Sequence, residues 1–215
     1  MRIQQIHYTI SMPVKIIIDA VKKPSLLSNI TTRLAVRFME NTAKPRLRMM
    51  QKYITGNKIL DIGLGTGSIA KLLSDGTRTV TSIDVTNTSL YPDIQPIMYD
   101  GVKIPFKANS FDTGLLICVL HHCDEQLEVL KDSMRTCRRL VILEDTFRNP
   151  FERALVAARD SIGNFEFYHH TYRSSKEWQK IFKDTGWKMV YKKEWSNISS
   201  YGMYGRQTLF VIDKR

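Results

Sequence analysis

A chain of 215 residues with 43% apolar and 25% charged side chains can bury a substantial core, and no run of about 18 uncharged apolar residues marks a membrane span. Arg2 is followed by Gln4, Gln5, His7 and Lys15 rather than a compact apolar stretch, so no signal peptide is expected. The net charge of +11 is concentrated: residues 1–58 hold 11 Lys and Arg against 2 Asp and Glu, whereas the remainder holds 21 against 19. Such a segment suits a solvated face, or attraction to nucleic acid, anionic lipid or an acidic substrate.

Residues 1–56 read as helical and irregular pieces. Pro45 suits the first turn of a helix in which Leu47, Met50 and Ile54 follow at helical spacing. A strand over 58–62 follows, with Ile59, Leu60 and Ile62 apolar. It runs into Gly63, Gly65 and Gly67, which allow a tight turn and leave backbone open to a ligand. Residues 68–74 read as a helix whose first N–H groups face that turn. A second strand at 79–83 ends at Asp84, and a third at 96–99 ends at Asp100. Residues 113–120 are a continuous apolar run, as in a strand buried on both faces.

An amphipathic helix is predicted over 124–138, with Leu127, Leu130, Met134 and Cys137 on its apolar face. Residues 140–144 form a fifth strand, ended by Asp145, which would cap the helix that follows. From 151 to 173 the pattern becomes a helix plus a loop dense in aromatics and histidine, including His169 and His170. Ser174 and Glu177 make a capping box, and Gly186 stops that helix. Two last strands lie near 187–194 and 206–213.

Strands alternating with helices predict an α/β fold with a Rossmann-like, doubly wound, mostly parallel sheet of seven strands, helices on both faces and an antiparallel last strand. Residues 1–56 would be a basic helical segment packed on the core and contributing to the acceptor side. Residues 57–215 would form the main domain, with a lid at 151–173. Ligands in such sheets bind beyond the carboxyl ends of the strands. Gly63, Asp84, Asp100, residues 120–123 and Asp145 all fall at such ends. Cys118, Cys123 and Cys137 are odd in number, which favours a reducing, cytoplasmic setting over a disulfide framework. His121, His122 and Cys123 are adjacent, but neighbours do not easily face one ion and no second pair stands at zinc spacing, so no metal is expected.

The turn lacks the Lys-Ser/Thr of a phosphate loop, and its spacing is GxGxG rather than the GxGxxG of dinucleotide folds. Asp84 can accept two hydrogen bonds from a ribose diol in either nucleotide class. The ordered set Leu60-Asp61-Ile62-Gly63-Leu64-Gly65-Thr66-Gly67, Asp84, Asp100 through Asp112, and Val119-Leu120-His121-His122 resembles the class I S-adenosylmethionine-dependent methyltransferases. It looks most like their small-molecule branch, the type 11 domain of ubiquinone and menaquinone biosynthesis enzymes, over about residues 45–145. The resemblance implies S-adenosyl-L-methionine as cofactor and S-adenosyl-L-homocysteine as product. Asp61, Gly63, Leu64, Gly65 and Gly67 would hold the amino-acid end. Asp84 would take the ribose, with Val85 beside the adenine and Asp100 and Gly101 on its amino edge. Cys118, Val119 and Leu120 would lie near the methionine portion. His121, His122, His169 and His170 are the candidate catalytic side chains, and the 165–173 stretch would cover an aromatic or otherwise apolar acceptor. Three further readings stand beside this one. They are an RNA methyltransferase using residues 1–58, although Leu120-His121-His122-Cys123 stands where base-amine enzymes carry an Asn/Asp-Pro-Pro-Tyr/Phe motif; an NAD-dependent oxidoreductase; and a domain that binds the cofactor without catalysis. Peripheral membrane contact through the basic segment is a further expectation.

Overall fold

Strand β1 (Lys58–Ile62) lies mid-sheet because four of its five residues are buried, and only a strand flanked on both sides and covered on both faces offers that environment. In this computed structural model, which describes residues 26–74, 76–164, 170–198 and 203–214, β1 pairs in parallel with β2 (Thr79–Asp84) and β4 (Phe111–Ile117). Outward from β2 lies β3 (Ile97–Met98), and outward from β4 lies β5 (Cys137–Thr146). Strand β7 (Tyr204–Asp213) runs antiparallel between β5 and β6 (Lys188–Ile198). The sheet order is therefore β3-β2-β1-β4-β5-β7-β6, mostly parallel with an antiparallel last strand. The edge strand β6 carries a register shift between Met189 and Tyr191 and exposed Lys188 and Lys193, devices that discourage a further strand from pairing there.

Alternation along the strands divides the core in two. On one face, Leu60, Ile62, Leu116, Ile142 and Phe210 pack with Val129, Leu130 and Met134 of α3 (Gln126–Thr136) and with Trp178 and Phe182 of α5 (Ser175–Asp184). On the other, Ile59, Leu115, Val141, Leu209 and Val211 pack with Leu47 and Met50 of α1 (Leu26–Met50) and Leu73 of α2 (Ser68–Leu73). Helix α4 (Pro150–Asn164) follows β5.

The structure corrects several expectations. Pro45 does not open a helix; it sits inside the 25-residue α1. Its side is exposed, where water can satisfy the carbonyl that loses its N–H partner. The apolar run 113–120 does not stay a strand to its end. Cys118 takes φ 56° and turns the chain, and Leu120–His122 form a 3₁₀ turn. Helix α3 buries Val129, Leu130, Ser133 and Met134, whereas Leu127 is exposed and Cys137 already begins β5. Asp145 does not cap α4. Asn149 does so, its Oδ1 accepting from Glu152 N at 2.9 Å. Residues 1–25 of the basic segment, and residues 165–169 of the expected lid with His169, lie outside the described residues.

Candidate functional site

The turn after β1 is held from behind and open in front. Gly63 N and Leu64 N both donate to Ile83 O, at 2.9 and 3.3 Å, which ties the turn to the end of β2. Gly63 has φ 80°, and a Cβ there would lie 2.6 Å from Val119 Cγ2, so only glycine lets the exit of β4 pass this close. Gly65 faces open space and Gly67 caps α2 from the left-handed region. Leu64 is buried beneath the turn.

Asp84 closes the turn from the neighbouring strand. Its Oδ2 accepts from Gly65 N at 3.0 Å, and its Oδ1 from Val85 N at 2.7 Å and Thr86 N at 3.3 Å. Burial pushes its carboxyl up and these backbone donors pull it down, with a net rise. Asp61 is buried behind the turn, and burial followed by the charge of Asp84 lifts it to about 7, against a weak bond from Ser82 Oγ at 3.5 Å. Thr88 Oγ1 donates to Gly65 O at 2.7 Å, and Tyr91 OH donates to Glu40 Oε1 of α1 at 3.2 Å. Helix α1 thus leans over the loop that flanks the turn. Farther along the same end, exposed Asp100 accepts from Val102 N and Lys103 N through Oδ1, at 2.9 and 2.6 Å, and Gly101 has φ 85°.

At the end of β4, Val119 N and Leu120 N both donate to Glu144 Oε1, at 2.9 and 2.7 Å. The Leu120 side chain is fully buried in the core and its N–H is committed, so neither is presented outward. Burial pushes the Cys118 thiol up, and Gln207 Nε2 approaches its sulfur at 3.7 Å.

The two histidines that follow meet side chains from distant parts of the chain. His121 Nδ1 lies 2.7 Å from Glu144 Oε2, and its ring stacks on Tyr172 at 5.2 Å between centroids. His122 Nδ1 lies 3.3 Å from His170 Nε2. His170 Nδ1 lies 2.8 Å from Asp160 Oδ2, which also accepts from Tyr172 OH at 2.7 Å. Burial disfavours a charge on His121, but Glu144 overcomes it and lifts the imidazole to about 9. Burial and the charge of His121 push His122 down to about 3. Burial works against the Asp160 carboxylate, yet the bond to His170 and the charge of His121 hold it below the ordinary carboxylate range. Beside this cluster Arg159 of α4 pairs with Asp145, which also accepts from Gln207 Nε2 at 2.9 Å.

The structure therefore brings Asp61, Gly63, Leu64, Gly65, Gly67, Asp84 and Val85 together around one turn, and sets Asp100 and Gly101 at the edge beyond β3. Cys118 and Val119 border the turn from β4, and His121, His122 and His170 gather beyond. Glu144 and Asp160 escaped the sequence reading, whereas Tyr172 fell within the aromatic 165–173 stretch without a role of its own. Glu144 stood one residue before the strand end taken to be Asp145, and nothing local marks Asp160.

Residues 60–143 match the methyltransferase domain family. The chain is 27% identical over 158 residues to a demethylmenaquinone methyltransferase of Paenarthrobacter aurescens (strain TC1), covering 61% of this chain and 62% of that protein. It is 27% identical over 126 residues to a demethylmenaquinone methyltransferase of Renibacterium salmoninarum, covering 52% and 53%. The chain thus spans less than two thirds of the length of these curated relatives. In fold it is similar to a SAM-dependent methyltransferase from Archaeoglobus fulgidus, with a TM-score of 0.64 and 14% identity over 81% of this chain and 94% of that one.

Proposed function

We propose that this chain, whose residues 60–143 match the methyltransferase domain family, is a class I S-adenosylmethionine-dependent enzyme that methylates a small aromatic or otherwise apolar acceptor. The observation that carries this reading is the Gly63–Gly67 turn. Its backbone is left bare where a Cβ would collide with Val119 at one end, and it is open at Gly65. A group with an amino-acid end fits such a cradle, and a nucleoside fits the acidic strand ends beside it.

In this reading Gly63, Gly65 and Gly67 lay main chain against the amino-acid end of the cofactor, with Asp61 supplying negative charge from behind. Asp84 takes the ribose while keeping the turn closed, Val85 lies against the adenine, and Asp100 and Gly101 meet its amino edge. Cys118 and Val119 wall the methionine portion, with Leu120 as buried support. The bound cofactor supplies an electrophilic methyl group on a sulfonium. The chain's own task is to align the acceptor and exclude water, and alignment alone lowers a barrier by about 7–11 kcal/mol in favourable cases. A base adds roughly 10²–10⁴-fold only where the acceptor begins protonated. The described candidates beside the acceptor are His121, His122 and His170; burial and His121 keep half-buried His122 neutral and weakly basic, which suits it to orient the acceptor by a hydrogen bond more than to remove its proton. His169 remains a candidate on sequence alone.

The demethylmenaquinone methyltransferase relatives support an aromatic acceptor of the quinol kind. The outer face of α1 supports contact with an anionic lipid surface, where such acceptors reside, because exposed Ile30, Leu34 and Phe38 lie among Arg33, Arg37 and Arg48. Cys118, Cys123 and Cys137, an odd number, support a reducing, cytoplasmic setting. Calorimetry with S-adenosylhomocysteine and NADH tests the cofactor: binding of the first and not the second is expected, and the reverse would overturn the reading. Labelled methyl transfer to a demethylated quinol, a metabolite extract and RNA then tests the acceptor. Transfer to the quinol or to an extract component is expected, and transfer to RNA alone would refute the small-molecule assignment.

A further inference from the structure

His121 holds a fully buried ring nitrogen, Nε2, that has no hydrogen-bond partner. Its other nitrogen is held by Glu144, so the ring is oriented with Nδ1 toward that carboxylate and Nε2 facing inward. Inward lies Asp160, whose Oδ2 is 3.8 Å from Nε2, too far for a hydrogen bond. The His122 ring lies 4.2 Å away between centroids, and one ligand atom each from His121, His122 and Asp160 come within 4.8 Å of one another. An imidazole nitrogen with no hydrogen-bond partner, facing a carboxylate and a second imidazole, is an arrangement that a shared cation would satisfy.

We propose that His121, His122 and Asp160 bind one divalent first-row transition-metal cation, with zinc as the best fit, oriented by Glu144 and Tyr172 from behind. Two imidazoles and a carboxylate suit zinc and its neighbours, whereas magnesium and calcium demand oxygen ligands. Three protein ligands leave a fourth position for water. Tetrahedral ligands about 2.0–2.1 Å from zinc stand roughly 3.3 Å apart, so the 3.8 Å gap between His121 and Asp160 must close by about half an ångström, and the other separations, all within 4.8 Å, by at most about 1.5 Å. Each ligand has a partner that would hold it: Glu144 on His121, His170 on His122 at 3.3 Å, and Tyr172 OH on Asp160 at 2.7 Å. Cys123 is not part of the set, since its thiol donates to Val119 O at 3.4 Å. The adjacency of His121 and His122 argued against a metal in the sequence. The 3₁₀ turn brings their rings together, and α4 supplies the carboxylate from 38 residues away along the chain. The site rests on geometry apart from the glycine turn, but it shares His121 and His122 with the proposed methyl-transfer site; with an ion bound, His122 is a ligand and is not available to the acceptor. The competing account is a protonated His121 that balances Glu144 and Asp160 with no ion.

The test is equilibrium dialysis of the chelator-stripped full chain against Zn²⁺ and Co²⁺, with metal counted by mass spectrometry and the Co²⁺ visible bands recorded. One ion per chain and a four- or five-coordinate Co²⁺ spectrum are expected. His121→Ala and Asp160→Asn should weaken binding at least 100-fold. Tyr172→Phe, which keeps the ring stack and removes only the hydroxyl, should weaken it about 10–100-fold. Failure of the native chain to retain either metal stoichiometrically would overturn the proposal in favour of the protonated histidine. So would Asp160→Asn or Tyr172→Phe variants, folded by circular dichroism, that bind as tightly as the native chain.

Discussion

Asp61 faces two penalties on ionising, burial first and the Asp84 carboxylate second, and its pKa rises from 3.8 to about 7. The folded state therefore retains a proton that the unfolded state has released. Between pH 4 and pH 7 stability falls as pH rises, by up to about 1.4 kcal/mol per pH unit, and above pH 7 this contribution is flat. Asp61→Asn should remove that slope. In urea melts the variant should match the native chain near pH 4 and exceed it at pH 8; a parallel pH dependence would refute the assignment. Gly63 offers a second test at this scale. Gly63→Ala should cost about 1–2 kcal/mol for the left-handed backbone alone. It should also weaken S-adenosylhomocysteine binding at least tenfold, and adding Val119→Ala should recover only the part due to the clash. Gly205 has a similar steric role, since a side chain there would occupy the place of the Arg159 guanidinium that pairs with Asp145.

Single elements are held by caps and by charged clamps. Ser174 Oγ accepts from Glu177 N at 3.3 Å, while Glu177 Oε2 accepts from Ser174 N at 2.6 Å, so the capping box legible in the sequence is formed. Ser174→Ala should destabilise the protein by about 0.5–2 kcal/mol, read from the denaturation midpoint at unchanged slope. Helix α4 is clamped onto β7: Arg206 reaches both oxygens of Glu152 at 2.8 Å, and Tyr204 OH adds a bond at 3.0 Å. Arg206 accordingly draws Glu152 down to about 2. This clamp matters to the site because α4 carries Asp160 into the histidine cluster.

At the scale of the molecule, the sheet separates two apolar cores that share no side chains. Ile59→Val in one and Ile142→Val in the other should each cost about 0.5–1.5 kcal/mol. The double variant should cost their sum within about 0.5 kcal/mol. A larger deviation in urea melts would mean that strain crosses the sheet and the cores are coupled. No described helix is long and apolar enough to cross a membrane.

The sheet and the glycine turn after β1 were legible in the residues alone. Apolar residues clustered within 58–62 and 140–144, glycines at 63, 65 and 67, and an acidic residue at the end of β2 are local signals, because a buried parallel strand and a bare-backbone bend each depend on a few adjacent residues. Local signals also misled where the environment decides. Pro45 reads as a helix start, yet lies on the exposed side of a longer helix whose buried face holds it. The run 113–120 reads as strand throughout, yet turns at Cys118 because Glu144 collects the N–H groups of Val119 and Leu120. Only the tertiary structure brought His121, His122, Asp160, His170 and Tyr172 into one buried cluster. Their contacts join the end of β4 to α4 and to the segment before α5, and side chains that far apart in sequence meet only after packing has fixed where each element lies.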